Sequence, residues 1–171
     1  ADVGLVGFPN AGKSTLISAI SAARPKIADY PFTTLVPNLG IVRYKEGQSF
    51  TVADIPGLIE GAHEGRGLGI QFLRHIERTR VLVFLVECTS EDPKKDVDTP
   101  LNELHSYKRN LTRRKKIVAL TKIDIADAEV LKKIKKIKFG RGIAAFPISA
   151  VAHEGLDPLL EMVWTTLNKP R

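Results

Sequence analysis

Eight consecutive residues near the start of the chain, Gly7, Phe8, Pro9, Asn10, Ala11, Gly12, Lys13 and Ser14, set two glycines, an ammonium and a hydroxyl in the order that phosphate chemistry asks for. The glycines let backbone N–H groups turn inward on phosphate oxygens. Lys13 reaches the outer phosphates as a point charge, and the Ser14 hydroxyl is a ligand for Mg²⁺. Such a loop works between a strand and a helix, and the apolar run 3–6 before it and Leu16, Ile17 and Ile20 after it supply both. A Gly-rich turn that merely opened a helix would not need Lys13 and Ser14.

Three later segments complete a nucleotide site. Asp54, Ile55, Pro56 and Gly57 follow the strand-like run 50–53. They put a carboxylate near the Mg²⁺ and a glycine N–H within reach of a γ-phosphate. Thr121, Lys122, Ile123 and Asp124 follow the run 117–120, at the strand end where ligands of doubly wound folds bind. The Asp124 carboxylate can accept hydrogen bonds from guanine N1–H and the exocyclic amino group, neither of which adenine offers at those positions, while the Lys122 stem can lie along the base. Ser149, Ala150 and Val151 close the last strand, where a backbone N–H can meet guanine O6. Each motif alone is weak; four in register, each at a strand end, are specific.

The elements that must position these groups are legible in the periodicity. Apolar runs at 3–6, 41–44, 50–53, 81–86, 117–120 and 144–148 predict six strands, and 45–48 predicts a hairpin between the second and third. Helical patterns at 13–23, 68–79, 101–110 and 128–138 lie between most of them. A last helix begins at Asp157 as N-cap with Pro158 at its first position. Alternation of this kind predicts an α/β fold of three layers, a six-stranded, mostly parallel sheet with one antiparallel edge strand and helices on both faces. Residues 1–171 fit one domain.

The motif series is similar to that of P-loop NTPase G domains, with a threonine in switch I. A more detailed resemblance is to the Obg family of translation-associated GTPases. It is carried by residues 29–40 (DYPFTTLVPNLG) and by 54–65, 67–69 and 72–79 (DIPGLIEGAHEG, GLG and FLRHIERT). It covers essentially the whole chain and implies the family's central G domain, in a longer protein with a glycine-rich N-terminal domain. It implies that Phe32, Thr33, Thr34, Leu35 and Val36 close over the nucleotide. Thr34 would bind Mg²⁺ and sense the γ-phosphate, with Thr33 as the neighbouring competitor. Ser14 would be the other protein ligand, with Asp54 acting through water. Lys13, Thr34 and Gly57 would serve catalysis. Potassium at Asn10 is an open alternative, on the resemblance to potassium-activated GTPases. Thr121 departs from the usual asparagine, which predicts weaker nucleotide affinity with guanine preference kept.

Leu58 stands where Ras-like enzymes carry the water-orienting glutamine, so slow hydrolysis of GTP to GDP is expected. The resemblance implies action in late assembly of the large ribosomal subunit, its rRNA and proteins, with sensing of guanosine tetraphosphate. The competing readings are a nucleotide-sensing RNA- or protein-binding module in which hydrolysis is incidental, and a potassium-dependent GTPase of tRNA modification.

Composition is ordinary for a globular chain, 43% hydrophobic and 26% charged. The absence of any apolar segment near 20 residues predicts no membrane span, and a cytoplasmic, monomeric domain is expected. Cys88 is the single cysteine, which excludes an internal disulfide and predicts a small buried hydrophobe. Net charge is +7, and half of the basic residues lie between Lys108 and Arg141. The simple account is a solvated helix face bearing Lys132, Lys133, Lys135, Lys136 and Lys138. The alternative is that this face, with Arg113, Arg114, Lys115 and Lys116, approaches an RNA phosphate backbone.

Overall fold

A computed structural model describes residues 2–8, 11–22, 26–27, 38–54, 78–107 and 113–169. Its sheet has the order β2-β3-β4-β1-β5-β6-β7. The strands are β1 (Val3–Val6), β2 (Lys26–Ile27), β3 (Asn38–Lys45), β4 (Gln48–Asp54), β5 (Val81–Glu87), β6 (Lys115–Thr121) and β7 (Ala144–Pro147). β1 pairs in parallel with β4 and β5, β5 with β6, and β6 with β7. Only β3 runs against its neighbours. The six predicted strands and the one antiparallel strand are therefore present. The edge assignment is corrected: β2, two residues long, pairs outside β3 and makes the sheet seven-stranded.

β5 explains the layering. All six apolar residues of Val-Leu-Val-Phe-Leu-Val are buried, as expected of a central strand covered on both faces. Successive side chains point to opposite faces, so Leu82, Phe84 and Val86 join one core and Val81, Val83 and Leu85 the other. The first core is closed by α2 (Pro93–Tyr107) and α3 (Ala128–Lys135), through Val97, Leu104 and Ile134. The second is closed by α1 (Lys13–Ile20) and α4 (Leu156–Leu167), through Leu16, Ile17, Leu159 and Val163. On that side the indole of Trp164 stacks on Tyr44 at 5.7 Å and lies 6.4 Å from Phe50, as packing rather than as a platform.

Several predicted boundaries move for local reasons. α1 stops at Ile20 rather than 23 because Ser21 turns extended and the Ala22 N–H donates to Ile41 of β3. α2 begins at Pro93, eight residues before the predicted start. Proline suits the first helical position, and Asp92 caps the end by accepting from the Lys95 N–H at 3.2 Å. Pro100 and the charged run 94–96 hid that first half. α3 ends at Lys135 rather than 138. α4 starts one residue before the predicted cap: Gly155, with φ 73, is the N-cap, and Asp157 and Pro158 fall in the first turn. Of the predicted helix 68–79, residues 68–77 lie outside the described residues, and Arg78 and Thr79 form a turn before β5.

Gly155 and Gly142 both have positive φ, but a Cβ on Gly155 would meet the Pro147 carbonyl at 2.2 Å while one on Gly142 meets nothing within 4 Å. Gly142→Ala is therefore expected to cost about 1–2 kcal/mol in urea unfolding, the left-handed penalty alone. Gly155→Ala should cost at least about 2 kcal/mol more. Equal losses would show that the turn before α4 yields to the clash.

Candidate nucleotide site

The phosphate loop runs from the end of β1 into α1, and both its glycines are there for steric reasons. Gly7 packs so closely on the central strand that a Cβ would lie 2.8 Å from the Leu85 carbonyl. Gly12 caps α1 with φ 98, a conformation that side chains rarely take. Between them the Ala11 N–H donates to the Phe8 carbonyl at 2.9 Å. The turn thus leads into the N-terminus of α1, where free N–H groups and the helix dipole favour an anion. Pro9 and Asn10 lie outside the described residues.

Lys13 is 7% exposed, an unusual burial for lysine, and its ammonium stands 3.1 Å from Asp54 Oδ1 at the end of β4. The pair meets in distance without hydrogen-bond alignment. Asp54 Oδ1 is buried and accepts no hydrogen bond among the described residues. A hard carboxylate oxygen with open lone pairs, together with the hydroxyl of Ser14, the residue after Lys13 on α1, is donor chemistry that suits Mg²⁺. The residues present therefore fit the ion. Phe32, Thr33, Thr34, Leu35, Val36, Ile55, Pro56 and Gly57 lie outside the described residues.

The base-side residues sit at the same edge. Lys122 adopts φ 66 and leads into a 3₁₀ turn, Ile123–Ile125. That left-handed residue is pinned on both sides: Cys88 N–H donates to the Thr121 carbonyl at 3.0 Å and Ile123 N–H to Ile148 at 3.2 Å. The turn presents Asp124 to solvent. Its Oδ1 accepts the Ser149 hydroxyl at 2.9 Å, while Ser149 Oγ accepts the Ala152 N–H at 3.1 Å. The Ser149 bond fixes the carboxylate plane and uses one lone pair of Oδ1, so both oxygens retain acceptor capacity for the fork of two guanine N–H groups. Val151, in the same turn, is 76% exposed, whereas Ala150 is half-buried.

Thr121 joins the two halves. Its buried hydroxyl donates to the Ala11 carbonyl at 2.9 Å, so the base-side loop is bonded to the phosphate loop across 110 residues of chain. The threonine thus makes the tie between the two loops through its one buried hydroxyl.

This arrangement can be set beside known proteins. A family profile described as 50S ribosome-binding GTPase matches residues 2–122. The chain belongs to that family. It is 56% identical, over 99% of its length, to GTPase Obg of Bacteroides fragilis (strain YCH46), of which it spans 44%. It is 52% identical over its whole length to GTPase Obg of Cytophaga hutchinsonii, of which it spans 50%. The chain therefore spans half or less of these relatives. Among solved structures, the G domain of the T. maritima FeoB iron transporter superposes with a TM-score of 0.66 at 25% identity, covering 96% of each chain. The apo cytosolic domain of the same transporter gives 0.72 at 23% identity, over 98% of this chain and 64% of that one, which speaks to fold alone.

One residue escaped the sequence reading, and another does more than that reading predicted. Glu87, at the end of β5, forms an ion pair with the Lys122 ammonium and so holds the stem that would flank a base. Its signal is a lone charge closing six apolar residues. Cys88 is buried as predicted, yet its thiol also donates to the Lys122 carbonyl at 3.4 Å, and burial pushes its pKa up. His153 takes φ 55 in the loop after Ser149 and is exposed. His63 and His75 lie outside the described residues. Among the described residues no group of three or more His, Cys, Asp or Glu could hold a metal, and no helix is long and apolar enough to cross a membrane.

Thr121→Val keeps the shape and removes the donor. It should lower stability by about 1–2 kcal/mol and weaken GDP binding up to about tenfold, whereas Thr121→Ser should retain both. Paired urea and calorimetric titrations check this. An unchanged GDP affinity in the valine variant would mean that the joint does not support the phosphate loop.

Proposed function

We propose that this chain is a guanine-nucleotide switch that binds GTP and GDP, hydrolyses GTP slowly, and acts in the cytoplasm on the large ribosomal subunit, as one G domain over residues 1–171. The observation that carries the reading is the placement of Asp124, oriented by Ser149, on the same sheet edge as the buried Lys13–Asp54 pair. That edge offers a guanine acceptor at one end and a phosphate cation at the other. The ribosomal part is supported by the description of the family to which the chain belongs.

Nucleotide entry exchanges partners. The phosphate-loop N–H groups and the N-terminus of α1 take the phosphate oxygens, and the Lys13 ammonium turns from Asp54 to the outer phosphates. Asp54 and the Ser14 hydroxyl, with Thr34 from switch I, would hold Mg²⁺, which when bound neutralises charge on the β- and γ-phosphates. Residues 29–36 and 57–69 are the segments that a γ-phosphate would order and its loss release. With Leu58 after Gly57, no side chain there can orient the attacking water. Turnover is expected at roughly 10⁻⁴ to 10⁻³ s⁻¹. Asn10 as a potassium ligand belongs to the same reading, as does competition by guanosine tetraphosphate.

Calorimetry with Mg²⁺ against GDP, a non-hydrolysable GTP analogue, guanosine tetraphosphate and ADP tests the base site. Guanine nucleotides should bind and ADP should not, and Asp124→Asn should shift preference to xanthine nucleotides. Equal ADP and GDP affinity would overturn the guanine reading. Single-turnover hydrolysis in KCl and in NaCl tests the rest. Several turnovers per second without a partner would refute the slow switch, and equal rates in the two salts would remove potassium.

A further inference from the structure

The basic window 108–141 is divided between two places in the structure, one of which also draws in cations from outside it. The α3 lysines 132, 133 and 135 are one surface. A second is a cleft of about 610 Å³ whose lining is six cations and two threonines, with no carboxylate and no apolar side chain. The cations, Arg78, Arg80, Arg113, Arg114, Lys115 and Lys169, come from the turn before β5, the start of β6 and the chain after α4. None of the α3 lysines reaches it. It opens at the amino ends of β5 and β6, whereas the nucleotide residues stand at the carboxyl ends. The seven residues of β6 place the two sites about 20 Å apart.

Two of the arginines are structural. Arg114 Nε donates to the Thr79 carbonyl at 2.7 Å, and Arg80 donates to Leu167 at 3.2 Å with Asp2 3.9 Å away. Lys116 turns inward, its ammonium donating to the Arg114 carbonyl at 3.1 Å, and burial holds its pKa below the usual lysine range. Arg78, Arg113, Lys115 and Lys169 are exposed and form no ion pair among the described residues. Among the described residues Asp2 is the one acid recorded beside this cluster, and it pairs with Arg80, which leaves Arg78, Arg113, Lys115 and Lys169 without a recorded counter-charge.

We infer that this cleft grips the phosphodiester backbone of duplex RNA, with Arg78, Arg113, Lys115 and Lys169 as the phosphate contacts. The lining excludes the alternatives. A small-molecule pocket of this volume would be lined by hydrophobic and aromatic side chains, of which this cleft has none. A protein hot spot or a membrane surface would add aromatic or aliphatic anchors, and base readout would need stacking faces. Arginine forks and point-charge lysines with none of these suit phosphates regardless of sequence. The choice of RNA as the polyanion rests on the ribosomal reading above. Because the cleft lies at the far edge of the sheet, RNA and nucleotide are held together and do not compete.

The test is fluorescence anisotropy of the 171-residue chain on a 20-base-pair RNA duplex from 50 to 200 mM KCl. Two triple variants are compared, Arg113→Glu/Lys115→Glu/Lys169→Glu in the cleft and Lys132→Glu/Lys133→Glu/Lys136→Glu on and just after α3, each lowering net charge equally. Unchanged GDP affinity and melting temperature certify that both are folded. The cleft variant should weaken RNA binding at least about tenfold and reduce the log–log salt slope by about 3, with the α3 variant close to the parent. Equal losses in both variants would overturn the assignment, since binding would then follow net charge. No duplex binding by the parent at 50 mM KCl would overturn it as well. Sedimentation with large ribosomal subunits separates the two readings. Cleft-dependent RNA binding without subunit binding keeps the cleft and removes the ribosome. Subunit binding that survives the cleft variant keeps the ribosome and removes the cleft.

Discussion

The registers of four parallel strands, β1, β4, β5 and β6, leave no freedom: Leu5 pairs with Asp54, Val6 with Phe84 and Glu87 with Thr121, so β5 and β6 run on past the ends of β1 and β4. Slipping any of them by one residue would turn its apolar set to the wrong face, and for a strand buried on both sides that cost falls on two cores at once. The site inherits this constraint. Asp54 meets Lys13, Glu87 meets Lys122 and the Thr121 hydroxyl meets Ala11 because the sheet puts those strand ends side by side. No loop has to be rigid on its own account.

The contacts at that edge are of different kinds. Lys13–Asp54 is a nearly buried pair in which each partner offsets the other's desolvation, and such a pair is valuable chiefly because breaking it leaves a charge uncompensated. It holds the end of β4 against the start of α1, and in the proposed nucleotide reading it would be exchanged rather than lost on the arrival of phosphates and a cation. The Thr121 bond is neutral and buried and would survive that exchange. One contact yields to the ligand and the other holds the frame.

Legibility followed the kind of constraint. The phosphate loop could be read because its backbone demands, the left-handed Gly12 and the close approach of Gly7 to Leu85, are written as glycine. β1, β5 and β6 could be read because burial on two faces forces continuous apolar runs such as 81–86. β2 could not, since Lys26 and Ile27 show no period and owe their pairing to β3. The first half of α2 was masked by Pro100, whose cost is met by the packing of Val97 and Leu104. Glu87, and the strength of the Thr121 joint, are relations between distant segments, which no local pattern records.

The aromatic stack on the α1 and α4 side has a spectroscopic consequence. Trp164 is the single tryptophan. It lies in the last turns of α4 against Tyr44 and Phe50, two residues before Thr166 of the basic cleft. Selective excitation of that indole therefore reads the amino edge of the sheet and the helix that ends there. Its emission is a native optical gauge of one pole of the molecule, while the opposite pole is left to nucleotide-borne fluorophores. Energy transfer between the two spans the sheet without any label being engineered into it.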